Sequence, residues 1–256
     1  MGSSLGIEGK VAIITGGNRG LGRAIAEKLC ASGCHVIVNY ANSDSAAEDT
    51  LNSLAKLSGS ATLMKADVRE QSAIEAIVNQ AIDLHGRLDI FIHNAATLHP
   101  MSAITPDTAA VYQEQELALN PLLLGAGIFA KAMNGETGGR VIAISSNGAG
   151  RVIPGYLSVG IAKAALESLV RYLAAELAGQ GIAVNAISTA LLDKGGASTS
   201  GLAGPAITAM LAARTPAGRL STPADVADAV ALLCAPEAAW IHGQVITVDG
   251  GLGLLA

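Results

Sequence analysis

Between a short apolar run and an amphipathic segment, the chain carries the sequence Thr15-Gly16-Gly17-Asn18-Arg19-Gly20-Leu21-Gly22. Glycines at such a junction permit a tight turn, and they let backbone N–H groups approach a pyrophosphate closely. The helix that begins there points the positive end of its dipole at the anion. We therefore predict a dinucleotide site with its phosphates over residues 16–22; the competing interpretation is a merely tight turn.

Short apolar runs and longer amphipathic segments alternate along the whole chain. The segments predicted as strands are residues 11–15, 35–39, 61–65, 88–93, 140–145, 182–187 and 244–248. The segments predicted as helices lie near residues 21–32, 44–58, 71–85, 109–133, 156–179 and 223–234. This alternation requires right-handed crossovers between parallel strands. We therefore predict an α/β fold of the Rossmann type, a doubly wound parallel sheet with helices on both faces, as one domain over residues 1–256.

Composition and charge agree with this fold and argue against several classes of partner. Half of the residues are hydrophobic and 14% are charged, which suits a parallel sheet buried on both faces. A net charge of −5 without a Lys/Arg run argues against nucleic acid and anionic membrane. The chain shows no signal-peptide pattern and no apolar stretch of membrane-spanning length, so we expect a cytoplasmic protein. Three cysteines without metal-ligand spacing, Cys30, Cys34 and Cys234, are expected to be buried or reduced.

The end of the second predicted strand indicates which nicotinamide dinucleotide binds. NAD-preferring sites place a carboxylate there for the ribose 2′-OH, but this chain has Asn39-Tyr40-Ala41-Asn42, all neutral. Arg19 can pair with a 2′-phosphate, so we predict NADPH rather than NADH; the alternative for Arg19 is a solvated loop charge. After the third strand, Asp67-Val68 is placed to meet the adenine, with capping by Asp67 as the competing role.

One segment departs from the alternating pattern. Residues 193–205 are rich in Gly, Ser, Thr and Ala, and a short helix-like stretch follows them up to Arg214. Two interpretations are open, an exposed loop and a lid that orders over the substrate. We favour a substrate loop over residues 193–214, because it follows the carboxyl end of a strand, where ligands of open α/β sheets bind.

Beyond these features, the sequence resembles the short-chain dehydrogenase/reductases over nearly its whole length. The segments that carry the resemblance are the glycine loop, Asp67-Val68, His93-Asn94-Ala95-Ala96, Asn120, Ser145-Ser146, Lys163-Ala164-Ala165-Leu166, Val184-Asn185, Gly243-Gln244 and Val248-Asp249-Gly250-Gly251. The resemblance implies seven parallel strands and a homotetramer or homodimer. It also implies that Asn94, Ala95 and Ser145 lie beside the cofactor, and that backbone groups around Leu192 contact its carboxamide.

The catalytic segment departs from the common pattern of this family, which is Tyr-x-x-x-Lys with a serine upstream. Counting back from Lys163 places Val159 at the tyrosine position and Ser146 at the serine position. Valine has no ionisable proton, so it cannot act as an acid or stabilise an oxyanion. A tyrosine does precede the lysine at Tyr156, and Tyr-x6-Lys resembles the enoyl-acyl-carrier-protein reductase branch. Together with the ordinary glycine loop and Thr215-Pro216-Ala217-Gly218-Arg219, this spacing resembles the NADPH-using type III enzymes of that branch.

Helical geometry is consistent with the shifted tyrosine. Seven steps along a helix turn by about 700°, so Tyr156 and Lys163 share a face, with the tyrosine about 4.5 Å further along the axis than in the common pattern. A trans-2-enoyl thioester takes hydride at C3 while negative charge develops on the thioester oxygen. The hydrogen-bond donor for that oxygen must therefore lie further from the hydride path than the donor of a ketone reductase does.

From this geometry and the resemblance we predict how the two residues act. Tyr156 donates to the enolate oxygen, while Lys163 binds the nicotinamide ribose and favours donation by Tyr156. The predicted substrate is an acyl thioester on acyl-carrier protein or CoA, in fatty-acid or related acyl-chain biosynthesis.

Two further residues complete the predicted catalytic set. The resemblance implies that Asn120 bends its helix and holds a water linked to Lys163, although Pro121 beside it offers a kink without chemistry. Ser146 has two open roles, support of the substrate oxygen and capping of the strand end. The histidines show no metal-ligand spacing. Two alternative functions stay open, a carbonyl (3-ketoacyl or enone) reductase and an NADP(H)-binding sensor or scaffold without turnover.

Overall fold

The computed structural model describes residues 5–133, 135, 138–195 and 203–255. In that part of the chain, seven parallel strands form one sheet in the order β3-β2-β1-β4-β5-β6-β7. The strands are β1 (Val11–Ile14), β2 (His35–Tyr40), β3 (Ser60–Lys65), β4 (Ile90–His93), β5 (Gly139–Ser146), β6 (Ile182–Thr189) and β7 (Val245–Val248). The predicted seven-stranded, Rossmann-type sheet is confirmed. The strand order reverses between β1 and β4, and ligands of doubly wound sheets bind outside the strand ends at such a point.

Helices cover both faces of the sheet. They are α1 (Gly20–Ala31), α2 (Asp44–Leu54), α3 (Gln71–His85), α4 (Thr108–Leu123), α5 (Ala126–Ala132), α6 (Leu157–Leu177), α7 (Pro205–Arg214) and α8 (Pro223–Cys234). Along β1, Ala12 and Ile14 pack into the hydrophobic core beneath α1 and α8, whereas Val11 and Ile13 pack into the core beneath α3 to α6. Successive side chains of a strand point to opposite faces, so a strand buried on both faces needs an unbroken aliphatic run.

The segment 109–133, predicted as one helix, is two helices, and the earlier prediction was wrong here. The break lies at Leu124 and Gly125, whereas Pro121 lies inside α4. A Cβ on Gly125 would lie 2.4 Å from the Pro121 carbonyl oxygen and 2.5 Å from the Phe129 ring. Only glycine leaves room for the chain to change direction there, because the Phe129 ring packs directly against its backbone.

Other boundaries differ by a turn or less at the ends. The helix predicted over 44–58 ends at Leu54, and the helix predicted from residue 156 begins at Leu157, with Tyr156 as its N-cap. The helix-like stretch before Arg214 is confirmed as α7. Residues 196–202 of the predicted substrate loop lie outside the described residues. Cys30, Cys34 and Cys234 are buried free thiols, as expected from their spacing.

Candidate active site

The glycine loop between β1 and α1 adopts a conformation that depends on its glycines. Gly16 has a φ of 60° and Gly20 a φ of 54°, in the left-handed region that favours glycine. A Cβ on Gly22 would lie 2.1 Å from the Gly16 carbonyl oxygen, so the first turn of α1 packs directly on the loop. At Gly20 an added Cβ would meet no described atom within 4 Å, so this surface is open to a ligand.

The start of α1 fits a bound diphosphate. Arg19 is its N-cap residue and is exposed; it makes no side-chain capping hydrogen bond, and the first turn holds no acidic residue. The N–H groups at a helix start, together with the helix dipole, favour an anion at this position. Asn18 Nδ2 donates to the Asn42 carbonyl oxygen at 3.0 Å, and half-buried Leu21 packs on the core beneath α1. These contacts hold the loop in the shape that a dinucleotide needs.

Thr15, Asn94 and Ala95 hold the glycine loop against the end of β4. Asn94 Nδ2 donates to the carbonyl oxygens of Thr15 and Gly16 at 3.1 and 3.0 Å. The Thr15 hydroxyl accepts from the backbone N–H groups of Asn94 and Ala95, both at 3.0 Å. Asn94 and Ala95 therefore lie directly beside the loop, and their contact with the cofactor stays a prediction.

His93 is a structural link, and its contacts identify its tautomer. Its Nδ1 lies 3.1 Å from the Thr15 hydroxyl, which already accepts two N–H groups and so donates its own hydrogen to His93. The Nε2–H then donates to the Ala118 carbonyl oxygen at 3.1 Å. Burial first, and the Lys163 charge second, lower the pKa of His93 to about 3. His93 is therefore neutral, and it joins the glycine loop to α4.

The end of β2 presents no free carboxylate to a ribose. Asn39 is buried, and its Nδ2 donates to main-chain carbonyls at the end of β3, 3.2 and 3.0 Å away. The Tyr40 hydroxyl donates to Asp44 at 3.0 Å, and the Asp44 carboxylate also pairs with Lys65 at 2.8 Å. The nearest acid after β2 is thus already neutralised, and Ala41 and Asn42 beyond Tyr40 are exposed and uncharged.

In the segment after β3, Asp67 is paired with a neighbouring arginine, and its predicted contact with adenine stays a prediction. The Asp67 carboxylate is in a bidentate ion pair with Arg69, whose hydrogen bonds lower the pKa of that carboxyl. Val68 is buried in the core beneath α3. Asn120 Nδ2 donates to the Arg69 carbonyl oxygen at 3.1 Å. The Asn120 side chain therefore ties α4 to the Asp67 segment, while its predicted water link to Lys163 stays a prediction.

Tyr156 and Ser146 come together at the end of β5. The two side chains are hydrogen-bonded, and burial raises the pKa of Tyr156, with this bond acting in the opposite direction. The Ser146 hydroxyl also accepts from the Gly148 backbone N–H at 3.2 Å. A Cβ on Gly148 would lie 2.6 Å from the Tyr156 ring, so the phenol rests on a glycine backbone. The Tyr156 carbonyl oxygen accepts from the Gly160 backbone N–H at 2.8 Å, and this bond begins the first turn of α6.

Lys163 lies on α6, and its side chain is buried against β5. Its Nζ donates to the Ile144 carbonyl oxygen at 2.7 Å. Burial lowers its pKa from 10.5 to about 8, while the nearby carboxylates of Glu114 and Glu167 raise it. Val159, at the ordinary tyrosine position, is a core residue with 3% of its surface exposed. Tyr156 therefore supplies the phenol at this end of α6.

Ser145 points away from Ser146, as alternation along a strand requires. Its hydroxyl donates to Glu167 on α6 at 2.6 Å. The Ser145 hydroxyl is thus already engaged by Glu167, and its contact with the cofactor stays a prediction. Leu192, after β6, is half-buried and packs on the same core as Leu21 of the glycine loop. The segment after β6 is therefore anchored to the glycine-loop side of the sheet.

Sequence reasoning missed several residues around this site. Glu114 is a buried glutamate on α4, hydrogen-bonded to Thr97 and His99 in the loop after β4. Gly148 carries the tyrosine ring, and Glu167 holds Ser145. A glutamate near the middle of an amphipathic helix has no local feature that distinguishes a buried position from a solvated one.

Two kinds of feature are absent from the described residues. There, no three His, Cys, Asp or Glu side chains come together to hold a metal ion. No helix in the same part of the chain is both long and apolar enough to cross a membrane.

Several known proteins are similar to this chain over nearly its whole length. A family model described as enoyl-(acyl carrier protein) reductase matches residues 16–253. The chain is 35% identical to 1-cyclohexenylcarbonyl-CoA reductase of Streptomyces collinus, covering 96% of this chain and 88% of that protein. It is 32% identical to 7alpha-hydroxysteroid dehydrogenase of Escherichia coli strain K12, covering 97% and 96%. A solved 7α-hydroxysteroid dehydrogenase, in complex with NADH and 7-oxo glycochenodeoxycholic acid, superimposes with a TM-score of 0.89 at 31% identity, covering 97% of this chain and 96% of that one.

Proposed function

Because this chain belongs to the short-chain dehydrogenase/reductases, in the family described as enoyl-(acyl carrier protein) reductase, we propose that it reduces the C2–C3 double bond of trans-2-enoyl thioesters with NADPH. The family consists of oxidoreductases that bind a nicotinamide dinucleotide. One observation carries the finer proposal: the only phenol at the start of α6 among the described residues is Tyr156, hydrogen-bonded to Ser146, whereas position 159 holds a buried valine.

The chain's own groups have distinct roles in this reaction. A nicotinamide dinucleotide, when bound along the glycine loop, would supply the hydride that C3 of the substrate accepts. The Tyr156 hydroxyl donates a hydrogen bond to the thioester oxygen, where negative charge develops. The Lys163 ammonium stabilises negative charge on the phenol, and C2 is protonated through the tyrosine or from water. Ser146 donates to the phenol oxygen and thereby orients the Tyr156 hydrogen toward the substrate.

The position of the phenol favours a thioester over a ketone. In ketone reduction, hydride and proton are delivered to adjacent atoms, so the donor must lie close to the hydride path. In an enoyl thioester, the charged oxygen is separated from C3 by two further carbons, so the donor belongs further along the helix. Tyr156, at the N-cap of α6, lies nearly one turn before Val159. Support also comes from the Streptomyces relative, whose name describes reduction of an unsaturated acyl-CoA.

NADPH is the proposed cofactor because of the charges around the ribose position. Arg19 is exposed at the N-cap of α1, and no carboxylate occupies residues 39–42. Asp44, the first acid beyond them, is paired with Lys65. A 2′-phosphate would therefore meet a cation and no unpaired acid in this region.

Ketone reduction is the second candidate, and a specific observation favours it. The hydroxysteroid dehydrogenase relative, 32% identical, is named for a dehydrogenase that acts on a steroid hydroxyl group. In this alternative, Tyr156 would donate its proton to the oxygen of the same carbonyl group whose carbon accepts the hydride.

Steady-state oxidation of NADPH distinguishes the two candidates. Crotonyl-CoA and longer trans-2-enoyl-CoA or acyl-carrier-protein thioesters are compared with acetoacetyl-CoA at matched concentrations. We expect kcat/KM to be higher for the enoyl thioesters, with a saturated thioester as product by mass spectrometry. Preferential turnover of acetoacetyl-CoA contradicts the proposal, and tight NADPH binding with no turnover of either class supports a sensor or scaffold.

We also propose a carrier, a lid and an assembly for this enzyme. The acyl chain is carried on acyl-carrier protein, and α7 of the predicted substrate loop covers it when it binds. The outer surfaces of α4 and α6 expose Tyr112, Leu123 and Tyr172, which is consistent with a homotetramer or homodimer. Light scattering of the purified protein measures its mass directly, and a monomer would contradict the proposed assembly.

A further inference from the structure

Glu114 is a buried carboxylate that the mechanism above does not use. Only 3% of its side chain is exposed. Its Oε1 accepts from the Thr97 hydroxyl and lies 3.2 Å from His99 Nδ1. Since an ionised carboxylate only accepts, His99 Nδ1 carries the hydrogen of that contact. Burying such a group is costly unless it is paired and hydrogen-bonded, so its position needs a reason.

The loop that holds Glu114 also holds the catalytic tyrosine. Met101 N–H donates to the Gly155 carbonyl oxygen at 3.1 Å, immediately before Tyr156. The Ser158 hydroxyl, in the first turn of α6, donates to the His99 carbonyl oxygen at 3.5 Å. The loop therefore bridges α4 and the start of α6, and Glu114 belongs to the wall behind the active site.

Lys163 is a buried cation that needs a counter-charge. Its Nζ donates to a neutral group, the Ile144 carbonyl oxygen. Helix α4, which carries Glu114, packs against α6, which carries Lys163 and, one turn later, Glu167. The charges of the two carboxylates raise the pKa of Lys163 against the effect of burial, with Glu114 acting first. Glu167 also accepts from the Ser145 hydroxyl at 2.6 Å.

Among the described residues, His93 and Tyr156 also face Lys163 or Glu114, and neither side chain carries a charge at neutral pH. His93 is neutral, because its pKa is lowered to about 3. Burial, and secondarily the Glu114 charge, raise the pKa of Tyr156, so the phenol is protonated at neutral pH. His99 is half exposed and contacts Glu114 from the solvent side.

We propose that Glu114 is a positioning residue of this active site: its buried carboxylate is the counter-charge that keeps Lys163 an ammonium ion, and Thr97 and His99 hold that carboxylate in place. The proposal rests on the proposed function only for the catalytic role of the Lys163 ammonium ion. Its electrostatic content concerns the free protein and is testable without substrate.

Glu114→Gln removes the charge and keeps the size and the ability to accept from Thr97. An opposite charge nearby raises the pKa of a cation by about one unit or more. We therefore expect the titration midpoint of Lys163 to fall by about one pH unit in this variant. Glu114→Asp, which restores the charge, should return the midpoint toward the wild-type value.

Lysine Nζ titration reports this shift directly. Protein labelled at lysine 13Cε is titrated by NMR, and the Lys163 resonance is assigned by its loss in Lys163→Arg. Glu116→Gln is the matched control, because Glu116 lies on the same helix with its side chain exposed. The Lys163 midpoint should not move in this control variant. An unchanged Lys163 midpoint in Glu114→Gln would overturn the proposal.

Two further measurements keep the test decisive. If circular dichroism shows that Glu114→Gln does not fold, Glu114→Met is used instead; it removes the charge, keeps a similar length and leaves no buried amide, so the Lys163 midpoint should fall in the same way. In an active enzyme, the basic limb of the kcat/KM profile for an enoyl thioester should move to lower pH by the same amount. If wild type turns over no enoyl thioester, the proposed function fails, while the NMR midpoint still decides the role of Glu114.

Discussion

The side chains of Ser146 and Tyr156 are hydrogen-bonded across the turn that joins β5 to α6. This bond lowers the pKa of the phenol against the effect of burial, and we expect the serine hydroxyl to donate it when a substrate is bound. The hydrogen of the Tyr156 hydroxyl is then available to a substrate oxygen. A serine at the end of a strand and a tyrosine at the N-cap of a helix thus lie together, and we propose that they act as one donor unit with the Lys163 ammonium.

Removal of the phenol hydroxyl should abolish most of the activity. For Tyr156→Phe we expect kcat with an enoyl thioester to fall by about 100-fold or more, because one oxyanion donor is lost. NADPH affinity, measured by fluorescence titration, should change little. Tyr172→Phe is the control, since Tyr172 lies exposed on the same helix. A rate for Tyr156→Phe close to wild type would remove Tyr156 from the catalytic role.

The ring of Tyr156 depends on the space that Gly148 leaves. An alanine Cβ there would lie 2.6 Å from the ring, so Gly148→Ala must displace the phenol. We expect kcat to fall at least about tenfold, because small misplacements of a catalytic group are costly. Gly150→Ala is the control, since its Cβ would meet no described atom within 4 Å. Equal activity of both variants would show that the phenol position is not critical.

Arg19 should select NADPH over NADH. For Arg19→Ala we expect the Kd of NADPH to rise about tenfold, the loss of one charge-assisted hydrogen bond, with little change for NADH. Isothermal titration calorimetry with both nucleotides measures the two constants. Arg23→Ala is the control, because Arg23 pairs with Glu27 along α1. An equal loss of affinity for both nucleotides would contradict a 2′-phosphate contact.

The charge of Lys163 predicts a basic limit to activity. Its pKa is lowered to about 8, so kcat/KM should be level below that pH and decline as pH rises through it. For stability the sign is opposite: the unfolded chain binds more protons between about 8 and 10.5, so this group adds stability as pH rises. Activity is measured with NADPH and an enoyl thioester, and folding by circular dichroism at each pH. A kcat/KM that stays level well above pH 8 would show that the Lys163 charge does not limit the rate.

Local patterns were sufficient for most of the fold. The strands and helices follow from apolar periodicity and from the glycine loop, which depend on neighbours a few residues away. The helix break shows where this reasoning failed, because Pro121 suggested a kink and Gly125 makes it. The deciding contact is with the Phe129 ring, and periodicity does not report how a ring packs on a backbone.

The candidate site divides in the same way. Lys163, Tyr156 and the glycine loop were found from spacing, because each lies in a short segment with a characteristic order of residue types. Asp67, Asn120 and Ser145 were also predicted, and their roles stay predictions. Their structural partners were not predicted: Arg69 holds the first two, and Glu167 holds the third.

By itself, the amino-acid sequence determined a doubly wound nucleotide-binding fold and the displaced tyrosine, since both depend on residues close together in the chain. Tertiary structure alone decided which polar groups are buried together. Glu114 looks like any helical glutamate until α4 packs against α6 and the loop after β4 closes over it. The physical reason is that desolvation and charge pairing depend on distances between distant segments, which no local pattern contains.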